Sequence, residues 1–265
     1  MTQAWSAQDL VQANLTLGFG RGYFSDPYKM YDERPRKRNT GALLLRWNHP
    51  TRGPVQPDQF IPFAEETGLI AEIGAWVLEN ACAQLKRWAG DRNTAHLTLS
   101  LNVSAHQFKQ ASFVETVRLA MHRHGVNPAR LMLEITESVM LDNVDASITK
   151  MDELVRAGVR FALDDFGTGH SSLSYLTRLP ISQLKIAQPF IDNIGTNASD
   201  AVVIQTIVGM AKNLGLEVIA EGVETQAQRE YLAAHGCQLC QGFLFSRPLP
   251  AAEFHASLAP SAMLT

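Results

Sequence analysis

The adjacent acids Asp164 and Asp165 are the first residues of this sequence whose types and spacing suggest chemistry. They follow the apolar run FAL at 161–163 and precede FGTG at 166–169, so both stand at the end of a predicted buried strand. Two like charges held together raise each other's pKa unless a positive charge offsets them. The two carboxylates therefore either point to opposite faces of the strand or belong to a site that holds a cation.

Polar side chains also end the other predicted strands, and most of them carry oxygen donors. Taken singly, each carboxylate is readily explained as a helix cap or a salt bridge, but their convergence favours a site. Carboxylate and amide oxygens suit Mg²⁺, Mn²⁺ or Ca²⁺ better than zinc. A lysine beside them can orient metal-bound water or neutralise a phosphate, which points to phosphodiester hydrolysis by two metals. These residues are Asn102, Ser104, Glu134, Thr136, Glu137, Asp164, Asp165, Lys185, Glu221, Glu224, Gln241 and Arg247.

Strand and helix patterns alternate along the chain, and this alternation predicts how those side chains are brought together. It indicates parallel strands joined by crossover helices. A strand at 42–47 precedes a long helical region at 60–88, broken at Gly68 or Gly74, and an eighth strand is expected within 10–31. The other predicted strands are 97–104, 130–138, 160–167, 183–188, 217–225 and 238–249, with amphipathic helices at 113–124, 145–157, 200–214 and 226–235.

Eight strands in a chain of this length predict a TIM-like (β/α)8 barrel of the α/β class, which typically takes ~250 residues and collects functional groups at the strand C-termini. The alternative is an open doubly wound sheet, which needs a glycine-rich phosphate turn after its first strand. The GFGRG segment at 18–22 has the wrong spacing, so it is interpreted as a loop. We expect a single barrel domain at 41–255, after a divergent, partly irregular segment at 1–40 and before a tail at 256–265.

Composition excludes several classes of function. The 265 residues are 46% hydrophobic and carry a net charge of −3, which predicts no binding to a nucleic acid polymer and no membrane contact. The basic run at 34–38 is interpreted as a solvated loop, and no apolar run approaches the ~20 residues that cross a bilayer. Three cysteines fit a reducing, cytoplasmic compartment. Cys237 and Cys240 have C-x-x-C spacing but lack a second ligand pair for zinc, so packing is the preferred interpretation.

Several separate motifs between about residues 41 and 250 together resemble the EAL domain of bacterial signalling proteins. They are RWNHP (46–50), AEETGLI (64–70), NVSA (102–105), EITES (134–138), DDFGTG (164–169), AEGVET (220–225) and QGF (241–243). The resemblance implies a barrel that binds cyclic di-GMP at the strand C-termini. Active members of the family linearise this dinucleotide to pGpG with two Mg²⁺ or Mn²⁺ ions.

Matching by position, the resemblance implies a role for each polar residue. Asn102, Glu134 and Asp164 would hold one metal. Asp164 would bridge to a second metal, with Asp165 and Glu221 in or beside that site. Lys185 and Glu221 would be catalytic, Lys185 by orienting the attacking water. Glu137 would hold the loop at 166–172, which the family uses in metal binding and dimerisation. The implied contacts to the dinucleotide are Arg46, Glu224 and Gln241.

The departures from the family pattern lie in the chemistry. Aligning Arg46 and Trp47 puts Ala42 where the family has the glutamate of Glu-Ala-Leu. In KIA at 185–187, Ala187 replaces the aspartate of Lys-x-Asp, and SDP at 25–27 lacks a ligand-binding glutamine. Mg²⁺ demands near-ideal octahedral coordination, so losing a carboxylate at each site predicts weak metal occupancy, or one of the acid pair neutralised by Lys185.

Two functions follow from this incomplete site. The favoured one is a module that binds cyclic di-GMP or a protein partner, with hydrolysis lost or strongly reduced. The alternative is a weakly active, metal-dependent phosphodiesterase that produces pGpG. The resemblance also implies a homodimer and a linked sensor or cyclase domain in a longer bacterial protein. Phe243 and Phe245 are predicted to pack in the barrel, with base stacking by Phe243 as an open alternative.

Overall fold

The computed structural model describes residues 14–24, 40–49, 51–140, 143–168, 173–195 and 197–257. The predictions for 25–27, 34–38 and 169–172 concern residues outside these ranges. Among the described residues, no helix has the length and apolar character needed to cross a membrane. The strands are β1 (Asn14–Phe24), β2 (Thr40–His49), β3 (Gly53–Val55), β4 (Thr98–Asn102), β5 (Leu131–Thr136), β6 (Arg160–Phe166), β7 (Gln183–Ile186), β8 (Glu217–Ala220) and β9 (Leu239–Gln241).

Eight of these strands close into a barrel, which confirms the predicted TIM-like fold. The sheet order is β1-β9-β8-β7-β6-β5-β4-β2-β3, and an additional β1–β2 pairing completes the ring. The pairs from β2–β4 round to β8–β9 are parallel. The barrel differs from an all-parallel one because β1 runs antiparallel to both β2 and β9. The short β3 extends β2 outside the ring.

Helices follow most of the strands, as the alternation predicts. The long helical region at 60–88 is broken at Gly68, whose φ of +78° lies in the left-handed region that favours glycine. Gly74 lies inside the second helix, where the Gln107 amide packs against it. The helices are α1 (Pro57–Glu66), α2 (Ile70–Ala89), α3 (Ala105–Lys109), α4 (Phe113–His124), α5 (Val144–Arg156), α6 (Leu173–Leu176), α7 (Gln188–Asp192), α8 (Ala198–Leu214), α9 (Gln226–Ala234) and α10 (Ala251–Ser257).

Two sequence-based interpretations are wrong. The glycine-rich segment 18–22, interpreted as a loop, lies inside β1, where Gly18 pairs with Leu44 and Gly20 with Ala42. This strand supplies the expected eighth strand, and it comes from the segment predicted to diverge. The last strand, predicted over 238–249, ends at Gln241, and a turn follows it. The alternation of side chains along a strand therefore does not extend to Phe243 and Phe245, which come after its end.

The alternation of side chains along each strand separates the core from the barrel interior. In β5, Leu131, Leu133 and Ile135 pack in the main hydrophobic cluster with residues of the surrounding helices. The residues between them, Met132 and Glu134, therefore face into the barrel. The apolar layer between the strands and the helices stabilises the closed ring. Polar side chains occupy the barrel interior near the strand C-termini.

Candidate functional site at the barrel mouth

The parallel strands bring the predicted site residues to one rim. Asn102 stands opposite Glu134 in the β4–β5 pairing. Asp164 stands opposite Thr136 in the β5–β6 pairing. The backbone N–H of Glu221 donates to the carbonyl of Ile186, next to Lys185. The C-terminal ends of neighbouring strands therefore meet at this rim, as the barrel predicts.

Lys185 is the centre of the site, because its ammonium contacts three carboxylates. Its Nζ lies 2.7 Å from Glu134 Oε2 and 2.9 Å from Asp164 Oδ2. It also lies 2.7 Å from Glu221 Oε1. The Lys185 side chain is 3% exposed, while Glu134, Asp164 and Glu221 are 4%, 9% and 21% exposed. We call these four residues the Lys185 cluster. One positive charge faces three potential negative charges, so the cluster is electrostatically incomplete when all three acids are ionised.

The protonation states reflect this imbalance. Burial alone lowers the pKa of Lys185, but the three carboxylates outweigh burial, so this pKa lies well above its ordinary value and the lysine is charged. Burial raises the pKa of Glu221 to about 8, because Asp164 and Glu134 add to it and Lys185 only partly opposes it. Burial and the neighbouring acids therefore favour the protonated form of Glu221.

This raised pKa predicts a pH dependence of stability. The folded chain holds a proton on Glu221 that the unfolded chain releases above its ordinary pKa of 4.5. The contribution of Glu221 is therefore full below pH 4.5 and is lost as the pH rises towards about 8. We expect the free energy of unfolding, measured by denaturant titration, to fall across this range, and Glu221→Gln to remove part of that slope. An unchanged slope in Glu221→Gln would contradict the assignment.

The adjacent acids Asp164 and Asp165 have different surroundings. Asp164 turns towards Lys185, and its Oδ1 accepts a hydrogen bond of 2.9 Å from the N–H of Asp165. Asp165 adopts a φ of +53°, a left-handed conformation that costs a non-glycine residue of order 1 kcal/mol or more. Partial burial and the charge of Asp164 raise the pKa of Asp165. Lys185 thus neutralises one member of the pair, in agreement with the expectation from the sequence.

Ala42 and Ala187, the two positions where a loss of metal ligands is predicted, are both buried. Ala42 is 4% exposed and pairs with Ser100 across β2 and β4. The Ser100 hydroxyl is buried, and among the described residues it has no hydrogen-bond partner. Ala187 is fully buried at the N-cap of α7, two residues after Lys185. Within the described ranges no group of three or more His, Cys, Asp or Glu has metal-binding geometry. Lys185 Nζ occupies the point where the carboxylates converge, so the cluster in this arrangement leaves no position for a divalent ion among its three acids.

Glu137 ties together the turns that follow β5 and β6. It is 9% exposed, and its Oε1 accepts a hydrogen bond of 3.2 Å from the N–H of Gly167. Gly167 has a φ of +98°, and a Cβ there would lie 3.0 Å from the Phe190 ring. This contact is consistent with the loop-stabilising role that the resemblance implies for Glu137. The rest of the loop, at 169–172, lies outside the described residues.

The predicted contacts to the dinucleotide lie at the same end of the barrel. Arg46 is half-buried near the end of β2, and burial lowers its pKa. Gln241 ends β9, and its carbonyl accepts a hydrogen bond of 3.0 Å from the N–H of Val223. The N–H of Glu224 donates to Gln228 Oε1 at 2.9 Å, so Glu224 lies at the capped start of α9. Gln241 and Glu224 are thus held on adjoining segments.

An aromatic residue and two cysteines also lie near the end of the last strand. Phe243 was predicted to pack in the barrel, but it is 51% exposed, and the Arg247 guanidinium lies over its ring. The four-residue spacing of Phe243 and Arg247, just after the last strand, is the sequence feature that could have indicated this contact. Cys237 and Cys240 are both buried, as the packing interpretation predicts. Burial raises the pKa of Cys240 to about 11, which makes a reactive thiolate unfavourable.

Comparisons with known proteins relate the chain to one family. The EAL domain description matches residues 30–248. MucR of Pseudomonas aeruginosa, described as a bifunctional diguanylate cyclase/cyclic di-GMP phosphodiesterase, is 47% identical over 216 residues, covering 82% of this chain and 31% of MucR. The cyclic di-GMP phosphodiesterase NbdA of the same organism is 43% identical over 217 residues, covering 81% of this chain and 27% of NbdA. The chain thus spans about a third or less of the length of these relatives.

A solved structure supports the same relationship. The PaMucR phosphodiesterase in its c-di-GMP complex matches with a TM-score of 0.85 and 42% identity, covering 93% of this chain and 98% of that one. The similarity therefore extends over both the barrel and the rim that carries the Lys185 cluster.

Proposed function

The chain belongs to the EAL domain family, and on that premise we propose that it binds cyclic di-GMP at the barrel mouth with hydrolysis lost or strongly reduced. The observation that carries the proposal is the Lys185 cluster, in which one ammonium takes the place where three carboxylates meet. Active EAL phosphodiesterases depend on divalent metal ions, and here Ala42 and Ala187 stand at two expected ligand positions. A related structure is a complex with c-di-GMP, which supports binding of this ligand by the domain.

Binding without a metal has to rely on the residues that still carry free donors. Lys185 is committed to three carboxylates, so its charge has little to offer a phosphate. Arg46 is the better phosphate partner, because a guanidinium makes two parallel charge-assisted hydrogen bonds and needs no ion. Gln241 and Glu224 supply amide and carboxylate groups for the polar edge of a base. Binding and turnover therefore draw on different residues, and one can persist without the other.

Loss of hydrolysis follows from the acid–base state of the cluster. Metal-dependent hydrolysis needs an ion that activates water and stabilises the charge on the phosphate. A lysine held by three acids is a poor acceptor for the proton of an attacking water, because those acids hold its pKa high.

The proposal predicts that calorimetry with cyclic di-GMP gives a measurable affinity that changes little when Mn²⁺ is added or chelated. Arg46→Ala is expected to weaken this binding roughly 10- to 100-fold, because hydrogen bonds to charged groups contribute about 1.5–3 kcal/mol each. Arg118→Ala is the matched control, since Arg118 is an exposed arginine on the outer helix α4. An affinity that depends wholly on Mn²⁺ would contradict metal-free binding.

The weakly active phosphodiesterase remains the competing function, and an assay for pGpG at saturating Mn²⁺ separates the two. Turnover that Glu134→Ala abolishes would establish the enzyme and overturn the binding-only proposal. Absence of both turnover and binding would leave a protein partner as the remaining class of ligand. A homodimer, a linked sensor or cyclase domain, and a cytoplasmic location stay predictions of the family resemblance.

A further inference from the structure

A crevice between helices α2 and α4 lies on the outer side of the barrel, behind the strands. Its volume is about 250 Å³. Leu101 of β4 and Leu133 of β5 form an apolar floor, and Leu78 and Val117 line it from the two helices. This volume is slightly below the ~300–1,000 Å³ of sites for drug-sized ligands. The crevice therefore suits a smaller molecule with an apolar body.

The short helix α3 forms one wall of the crevice and is held at both of its ends. At its start, the N–H of Gln107 donates to Ser104 Oγ and the N–H of Ser104 donates to Gln107 Oε1, each at 3.2 Å. At its other end, Lys150 Nζ donates to the three carbonyls of residues 108–110 at 2.8–2.9 Å. A wall that is already ordered loses little conformational entropy when a ligand binds against it.

Gln107 connects this wall both to α2 and to the rim of the barrel. A Cβ at position 74 would lie 1.3 Å from Gln107 Nε2, so only the glycine of α2 leaves room for this amide. Through Ser104, Gln107 is also bonded to the segment that follows β4. Asn102, the predicted metal ligand at the end of β4, lines the same crevice. A molecule in the crevice therefore contacts the segment that positions Asn102.

The charge of the lining selects the kind of ligand. Glu72 is the only charged residue that lines the crevice, and among the described residues it has no ion-pair partner. With no lysine or arginine in the lining, the crevice disfavours an anion such as a phosphate. A protonated amine complements the Glu72 carboxylate, and the exposed Gln110 side chain offers a further amide oxygen on the same lining.

We propose that this crevice is a regulatory site for a small amphipathic amine, whose apolar body lies on Leu101 and Leu133 and whose ammonium pairs with Glu72. The site is separate from the barrel mouth, but its regulatory role rests on the proposed function. A ligand that fills the crevice restricts the segment carrying Asn102, so less ordering is left for cyclic di-GMP to bring about. The dinucleotide then tightens amine binding by the same factor, as linkage requires.

Three probes with the same apolar body and different head groups test the site: phenethylamine, phenethyl alcohol and phenylacetate. In titrations followed by NMR, we expect the amine to bind about 2- to 5-fold more tightly than the alcohol, the scale of an exposed ion pair, and phenylacetate to bind most weakly. Glu72→Gln should remove the advantage of the amine. Glu253→Gln, which changes an exposed glutamate on α10, is the control and should keep it. An alcohol that binds the unaltered chain as tightly as the amine refutes the assignment.

Filling the crevice tests its location. Ala75 lines the crevice from α2, so Ala75→Leu should abolish binding of phenethylamine. Ala252→Leu, on the exposed side of α10, adds the same bulk elsewhere and should leave binding unchanged. Thermal unfolding of both variants checks that the fold persists. If Ala75→Leu is folded and binds the amine as the unaltered chain does, the crevice is not the site.

The regulatory role is tested by calorimetry with cyclic di-GMP in the presence and absence of saturating phenethylamine. We expect the amine to tighten dinucleotide binding at least about 5-fold, and to have no effect in Ala75→Leu. If the amine binds but the affinity for cyclic di-GMP is unchanged or weakened, the regulatory role is refuted and the proposed function stands. If the unaltered chain binds no cyclic di-GMP, the proposed function and the regulatory role fall together, and the probe titrations still decide the site.

Discussion

Ala42→Glu combined with Ala187→Asp is expected to raise Mn²⁺-dependent hydrolysis of cyclic di-GMP by about 100-fold or more over the unaltered chain. Even residues that only support metal ligands change affinity or activity by about 10–100-fold when mutated, and direct ligands should matter at least as much. The two changes return one carboxylate to each expected metal site. We expect each single change to give much less than the pair, because a two-metal reaction needs both sites.

The surroundings of Ala42 favour this result. Ser100 lies opposite Ala42 across β2 and β4, and its buried hydroxyl lacks a hydrogen-bond partner among the described residues. A carboxylate introduced at position 42 could accept a hydrogen bond from that hydroxyl, which would offset part of the cost of burying it. The orphaned hydroxyl is thus a physical sign that a polar group suits this part of the barrel.

Two controls make the double change interpretable. Adding Glu134→Gln to it should abolish the gained activity, because Glu134 is a predicted ligand at the centre of the site. Mn²⁺ should raise the melting temperature of the double variant but not that of the unaltered chain, since an ion that binds only the folded state stabilises it. If the double variant gains neither activity nor a Mn²⁺-dependent melting shift, Ala42 and Ala187 do not stand at metal-ligand positions.

The sequence was sufficient to predict the barrel and its rim because strand periodicity and strand ends are local signals. Asn102 and Asp164 each follow a short apolar run, and the parallel pairing of their strands brings the strand ends to one rim. Gly18 and Gly20 show the limit of this reasoning. Glycine has low strand propensity, so their segment was interpreted as a loop, but pairing with Leu44 and Ala42 on β2 decides the structure.

Side-chain contacts at the rim depend on geometry that a sequence pattern does not contain. Lys185 was expected among the acids, but its simultaneous contact with three of them depends on where a long side chain ends. Phe243 was placed in the barrel because the strand was predicted to continue past it. The strand ends at Gln241, and in the turn that follows it Phe243 is 51% exposed.

Lys185→Met is expected to lower the free energy of unfolding by about 3–5 kcal/mol near pH 7.5. Removing one partner of a buried ion pair leaves an uncompensated buried charge, and here the lysine serves Glu134 and Asp164, which are 4% and 9% exposed. Methionine fills similar space, so the loss reports charge more than volume. Urea titration of both chains gives the difference. Arg178→Met, which breaks the exposed pair with Asp145, is the control and should cost under about 1 kcal/mol.

The pH dependence of the Lys185→Met chain should identify the cause. Without the ammonium, the buried acids have folded-state pKa values raised above their unfolded values, so their contribution is retained at low pH and lost as the pH rises. The variant should therefore lie closest to the unaltered chain near pH 4.5 and furthest from it near pH 8. Glu134→Gln added to Lys185→Met should recover part of the loss at pH 8. A destabilisation that is the same at both pH values would mean that packing, not charge, is what Lys185 provides.

This stability role bears directly on the functional proposal. An ammonium that compensates buried acids cannot be moved or deprotonated without exposing those acids to the cost of an unpaired buried charge. The more Lys185 stabilises the fold, the less it can serve as an acid–base group during a reaction. A loss of about 3–5 kcal/mol in Lys185→Met, together with unchanged binding of cyclic di-GMP at a temperature where the variant stays folded, would therefore separate the Lys185 cluster from the ligand contacts at Arg46 and Gln241.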